Sequence, residues 1–120
     1  MANRMVFISW GEGVPGREER GLEVFNEAVG LYGKMQQDGR IESFDVKLLG
    51  ANGDLAGYME LYGSAEQLSA VRESEEFRRV LINASLIVQN LRVATGACNE
   101  GVAEEMTMYQ EALSGVSMPA

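Results

Sequence analysis

Two periodicities take turns along the chain. Met5–Trp10 (MVFISW) is a short β-rich run, ended by Gly11, Gly13, Pro15 and Gly16. From Arg17 the spacing becomes helical, with Leu22, Phe25, Val29 and Tyr32 recurring on one side and Met35 continuing the stripe. Glu18 and Glu19 fall in the first turn, where the helix dipole favours acids, and Gly39 suits a C-terminal cap. Gly21, Gly30 and Gly33 each weaken this helix by about 1 kcal/mol relative to alanine, which points to close packing on a sheet. Glu42–Leu49 alternates, Phe44, Val46 and Leu48 against Ser43, Asp45 and Lys47. Asn52-Gly53 then predicts a type I′ turn with positive φ at both residues, and Leu55–Tyr62 is the return strand. Ser64 and Gln67 form a capping box ahead of Leu68 and Val71, and Ser74 restarts the helix after a kink. Phe77, Leu81, Ser85 and Val88 make the next stripe, and Leu91–Cys98 reads as a fourth strand. Glu100–Val116 is a final helix with Val102, Met106, Tyr109, Leu113 and Val116 on one side, and Ser117–Ala120 is a frayed tail.

The order β-α-β-β-α-β-α predicts one α+β domain over residues 1–116, a ferredoxin-like βαββαβ unit with an extra C-terminal helix. With Asn52 and Gly53 as the turn, Lys47 faces Tyr58, Val46 faces Met59, Asp45 faces Glu60 and Phe44 faces Leu61. Phe44, Val46, Leu48, Met59 and Leu61 then share one side, which belongs under the helices with Val6, Ile8, Leu91 and Val93. The other side gathers Phe7, Ser9, Asp45, Lys47, Tyr58, Glu60, Tyr62, Arg92 and Ala94. A one-residue slip would mix the two sets. Aromatic and ionic residues together on a bare face point to an interface or a ligand site, and two copies can pack such faces with two-fold symmetry. The default pocket then lies between the sheets or between the sheet and the C-terminal helix.

Composition narrows the chemistry. With 120 residues the chain holds one core. Its net charge of −8, with no basic stripe, argues against nucleic acid and against an anionic membrane surface. No apolar run approaches the roughly 18 residues of a membrane span. The single cysteine, Cys98, allows no internal disulfide and suits a reducing cytoplasm as a buried structural thiol. There is no histidine, which removes Ser-His-Asp and Cys-His chemistry and histidine-ligated zinc or haem.

The segments FISWGEGVPGREE, IESFDVKLLG, ESEEFRRVL and GVAEEM resemble a small group of uncharacterised bacterial proteins of the dimeric α/β-barrel superfamily. The resemblance covers residues 5 to 98 and implies a ferredoxin-like dimer. The wider superfamily includes cofactor-independent monooxygenases, haem-degrading enzymes, muconolactone isomerase-like enzymes and stress-response proteins, so the fold implies no one activity. Haem-degrading members use an Asn, a Trp and a His together; this chain lacks the His, and that activity is not carried over.

The candidate residues follow from the bare face. Asp45 and Glu60, as cross-strand neighbours, form a carboxylate pair of the kind that supplies a general acid or base, or an ion network neutralised by Lys47 and Arg92. Ser9, Trp10, Lys47, Tyr58, Tyr62 and Arg92 are the candidate ligand-binding residues; Trp10 walls a pocket or packs in the core, and Tyr58 and Tyr62 bind a substrate oxygen or fill a dimer interface. Ser9 has no base beside it. Gly11–Gly16 lacks the lysine of a P-loop and reads as a flexible crossover at the mouth of the open face. No metal site and no cofactor are expected. The expectation is a cytoplasmic homodimer, joined through the open sheet face, that binds a small apolar or aromatic molecule at that same open face. The alternatives are a cofactor-independent monooxygenase or isomerase, with Asp45 or Glu60 as base, Tyr58 orienting and Arg92 stabilising negative charge, and a purely structural interaction subunit.

Overall fold

Strand β1 (Arg4–Trp10) is flanked on both sides, by β3 (Gly57–Gly63) and β4 (Arg92–Ala97), and β2 (Ser43–Leu48) completes an antiparallel sheet of order β2-β3-β1-β4. The computed structural model describes residues 1–116, so the tail expected to fray lies outside the described residues. Helices α1 (Glu18–Gln37), α2 (Ala65–Glu73) and α3 (Glu75–Ser85) supply the buried residues that meet one side of the sheet, and α4 (Glu100–Ser114) follows β4. No helix of the described residues is long and apolar enough to cross a membrane.

The β2–β3 register is the one the alternation requires: Phe44 pairs with Leu61, Asp45 with Glu60, Val46 with Met59 and Lys47 with Tyr58. The turn is not type I′. Pairing ends with the Leu49 amide on the Ala56 carbonyl (2.9 Å), and Gly50–Leu55 folds around the Asn52 side chain. Its Nδ2 donates to the Gly50 and Leu55 carbonyls, and its Oδ1 accepts from the Asp54 and Leu55 amides. Only Gly53 is left-handed, at φ 89°. The asparagine thus supplies through its side chain what a two-residue turn would supply through backbone geometry.

The core joins Val6, Ile8, Met59 and Leu61 of the sheet to Ala28, Tyr32 and Met35 of α1, Leu68 and Val71 of α2, and Phe77 of α3. The buried line on α1 runs through Val24, Ala28, Tyr32 and Met35, so the expected stripe is rotated. Phe25 and Val29 flank it half-buried, whereas Leu22 is 67% exposed. Gly30 and Gly33 face open space rather than the sheet; Gly21 faces Ile87. At its end α1 closes as expected of Gly39, which is left-handed (φ 75°). The Arg40 amide reaches the Met35 carbonyl (2.8 Å) and the Gly39 amide the Gln36 carbonyl (3.2 Å), the paired bonds of a Schellman motif. The Ser64–Gln67 capping box is complete, and Gln67 also donates to the Gly39 carbonyl, tying the α1 terminus to the α2 start. Ser74 ends α2 and starts α3, its hydroxyl donating to the Val71 carbonyl and accepting from the Phe77 amide.

Helix α4 is fixed at its start alone. An added Cβ at Gly101 would lie 2.1 Å from the Asn3 carbonyl oxygen, so only glycine allows this approach. Asn99, at φ 50°, donates to the Ala2 carbonyl (2.7 Å), and Arg4 lies near Glu104 and Glu105. Beyond this anchor the stripe is bare: Met106 is 51% exposed, Tyr109 63% and Leu113 56%.

Substituting Phe77→Ala should cost about 3–5 kcal/mol, because it empties a fully buried site between helices and sheet. Ser64→Ala should cost about 1 kcal/mol by removing one cap. Urea unfolding followed by circular dichroism checks both, and an equal or reversed ranking would contradict this assignment of the core.

Candidate functional site

Strand pairing arranges the bare face in three rows. Lys47, Tyr58, Ser9 and Arg92 form one, Asp45, Glu60, Phe7 and Ala94 the next, and Ser43, Tyr62, Met5 and Gly96 the third. Within this lattice the Tyr62 hydroxyl donates to Asp45 Oδ2 (3.2 Å). The Tyr58 and Phe7 rings lie 5.3 Å apart, tilted by 35°. Ser9 is buried between Tyr58 and Arg92. Asp45 and Glu60 are side by side, but among the described residues neither Lys47 nor Arg92 forms an ion pair with them. Within the protomer Arg92 is kept from Glu60 by β1, which stands between them, two strand spacings of about 4.8 Å each. No cluster of three or more metal-ligating side chains forms among the described residues. The half-buried Cys98 has its thiol pushed up from its ordinary value, by burial first and then by the charge of Glu60.

The other side of the sheet holds a cavity. It measures about 580 Å³ and lies between the sheet, α1 and α3. Trp10, Phe25 and Tyr32 wall it with Ile8, Met59, Val80, Leu81 and Ile87, and Arg17 and Glu18 stand in its lining at the start of α1. Of the sequence candidates only Trp10 lines it; Ser9, Asp45, Lys47, Tyr58, Glu60, Tyr62 and Arg92 lie outside its lining. Trp10 takes this position because Gly57 opposite it has no side chain: a Cβ there would come within 2.7 Å of both the indole and the Lys47 carbonyl. Trp10 then meets Phe25 edge to face at 6.4 Å. The space itself arises where α1 and α3 present Gly21, Ala28 and Ala84. Those small residues are the signal the sequence carries for this site, and they become legible only once the two helices are known to face each other.

The glycine-rich crossover borders this cavity and is tied down, in contrast to the flexible segment expected. The Gly11 amide donates to the Gln89 carbonyl (2.7 Å), the Gln89 amide to the Glu12 carbonyl (2.8 Å) and the Val14 amide to the Ile87 carbonyl (2.9 Å), with a bridge between Gly13 and Val88. The segment after α3 runs beside it as a short extra ladder. Glu18 Oε1 accepts from the Gly16 amide (3.1 Å). Hydrogen bonds from its own backbone amide and from that of Gly16 hold the Glu18 carboxyl below its usual range.

Burial, and then the charges of Glu60 and Asp45, raise the Tyr62 phenol above its ordinary value of 10.0, and burial alone raises Tyr32. Both rings therefore stay protonated in the fold when an unfolded chain would ionise. Their stabilisation is complete below pH 10 and is lost as pH rises further. Stability should be insensitive to these groups up to about pH 10 and fall above it. Tyr62→Phe should make that alkaline fall shallower, measured by urea unfolding at pH 8 to 11; an unchanged slope would contradict the protonated Tyr62.

No family model and no curated protein matches the sequence. Solved structures do match. A dimeric protein of unknown function and ferredoxin-like fold from Bacteroides fragilis superposes with a TM-score of 0.58 at 9% identity, covering 79% of this chain and 96% of its own. A protein of unknown function from Nitrosomonas europaea gives 0.59 at 12% identity, covering 100% of this chain and 97% of its own. A candidate antibiotic biosynthesis monooxygenase from Caulobacter crescentus gives 0.59 at 9% identity, covering 82% and 92%. At such identities the likeness carries the architecture and not the activity. Strand order, helix placement and these superpositions agree: the chain has a ferredoxin-like fold.

Proposed function

We propose that the chain is a homodimer joined through its bare sheet face, and that each protomer binds a small apolar or aromatic molecule in the cavity between sheet, α1 and α3. The cavity carries this reading. Its volume, about 580 Å³, falls within the range of small-molecule sites, and its wall is aromatic and aliphatic around the only tryptophan of the chain. An apolar space of that size left empty is a packing defect that a fitting ligand removes.

The dimer is supported by the composition of the bare face and by the structural neighbours from Bacteroides fragilis and Jannaschia, both described as dimeric. Phe7 and Tyr58 form an apolar centre there, with acids at Asp45 and Glu60 and cations at Lys47 and Arg92 around it. A two-fold axis lets each charge meet one of opposite sign. In this reading Ser9, Lys47, Tyr58, Tyr62 and Arg92 belong to the interface, and the exposed stripe of α4 is covered by the assembly.

A second reading, a cofactor-independent monooxygenase or isomerase with Asp45 or Glu60 as base, draws on the neighbours from Caulobacter and Chloroflexus described as candidate antibiotic biosynthesis monooxygenases. The sheet stands between those carboxylates and the cavity, and the one acid in the cavity lining, Glu18, is bound to the Gly16 amide, so binding is the better supported role.

Titrating N-phenyl-1-naphthylamine, a neutral aromatic probe, should quench Trp10 emission saturably at one probe per protomer. Leu81→Arg should abolish that quenching while keeping the far-ultraviolet spectrum. Absence of saturable quenching in the unaltered protein would sink the binding reading. Sedimentation at micromolar concentration should give a dimer that Tyr58→Lys converts to a monomer; a monomeric unaltered chain would sink the assembly.

A further inference from the structure

The cavity lining contains two charged residues, Arg17 and Glu18, and they are used differently. The Glu18 carboxylate is turned back onto the Gly16 amide. Arg17 is the free cation of the pair. One of its guanidinium nitrogens donates to the Leu86 carbonyl across the cavity edge, which fixes the side chain there, and among the described residues it meets no carboxylate within ion-pair distance. Acids outnumber bases 18 to 10 in this chain, and Arg4, Arg20, Arg40 and Arg79 all have acidic neighbours. A guanidinium carries five N–H donors in a planar fork, so one bond to a carbonyl leaves most of them available to an anion. The same rim is the N-terminal end of α1, whose dipole adds a partial positive charge.

Resting on the cavity reading above, we propose that the natural ligand is an anionic amphiphile: an aromatic or aliphatic body lying against Trp10, Phe25 and Leu81, with a single carboxylate-like group held at the rim by Arg17. Apart from Glu18, whose carboxylate accepts from the Gly16 amide, the lining offers no other charge to a polar end, so a ligand enters with its apolar part inward and its anion outward. The net charge of −8 repels anions from the protein as a whole, which makes any preference for them a property of this rim.

Two probes with one aromatic skeleton separate the terms: neutral N-phenyl-1-naphthylamine and its sulfonated counterpart, 1-anilinonaphthalene-8-sulfonate. The sulfonate should bind more tightly. Arg17→Gln should lower the ratio of sulfonate to neutral affinity by up to about fivefold, the upper end for an exposed charge pair. Glu18→Gln, which keeps the oxygen that accepts from Gly16, should raise the same ratio. A sulfonate bound no more tightly than the neutral probe, or a ratio that Arg17→Gln leaves unmoved, overturns this assignment while the cavity reading stands. Failure of both probes to saturate overturns the cavity reading and this one with it.

Discussion

Backbone alternation in β1 divides the molecule in two. Because β1 is hydrogen-bonded on both edges, it has no freedom to turn its residues over, and Val6 and Ile8 must point opposite to Phe7 and Ser9. The antiparallel pairing carries the same division outward to β2 and β4. Helices cover only the side that Val6 and Ile8 define, since the crossovers of a βαββαβ chain both fall there. Every site discussed above inherits its address from that division: the cavity is on the covered side, and the carboxylates, Tyr58 and Arg92 are on the bare one.

The covered side is not filled evenly. Around Met35, Ile41, Leu61 and Phe77 the packing is complete, with each side chain almost wholly removed from water. Toward the other end, where β1 meets the glycine-rich crossover, α1 and α3 offer Gly21, Ala28 and Ala84, and the layers stay apart. The backbone bonds between residues 11–14 and 87–89 fix the crossover at the cavity edge.

The sequence was most legible where a short local rule had a single outcome. Alternation alone sets the β2–β3 register, since a slip would bury Asp45 and Lys47; the capping box at Ser64 and the left-handed Gly39 are set within one turn of helix. It was least legible where partners are distant in the chain. Asn-Gly is compatible with a tight turn, and only the side-chain bonds of Asn52 to Gly50 and Leu55 select the wider loop. The α1 stripe admits two rotations, and contact with the sheet chooses the one through Val24 and Ala28, leaving Leu22 outside. The cavity was not legible at all as a site, because its walls come from three elements and its space comes from residues whose side chains are small or absent.

Helix α4 shows how the same physics bears on assembly. Its sequence has the apolar spacing of a buried helix, yet Gly101 is its one buried residue. Its ionisable side chains within Glu100–Ser114 include Glu100, Glu104, Glu105 and Glu111 and no lysine or arginine, so it gains little from the acidic body it extends from beyond the contact of Arg4. A helix of this length is marginal in isolation and takes most of its stability from packing. The bare stripe and the bare sheet face therefore pose one problem, apolar surface that the protomer alone leaves wet, and the proposed dimer answers both by the burial that a chain of net charge −8 needs to overcome its own repulsion.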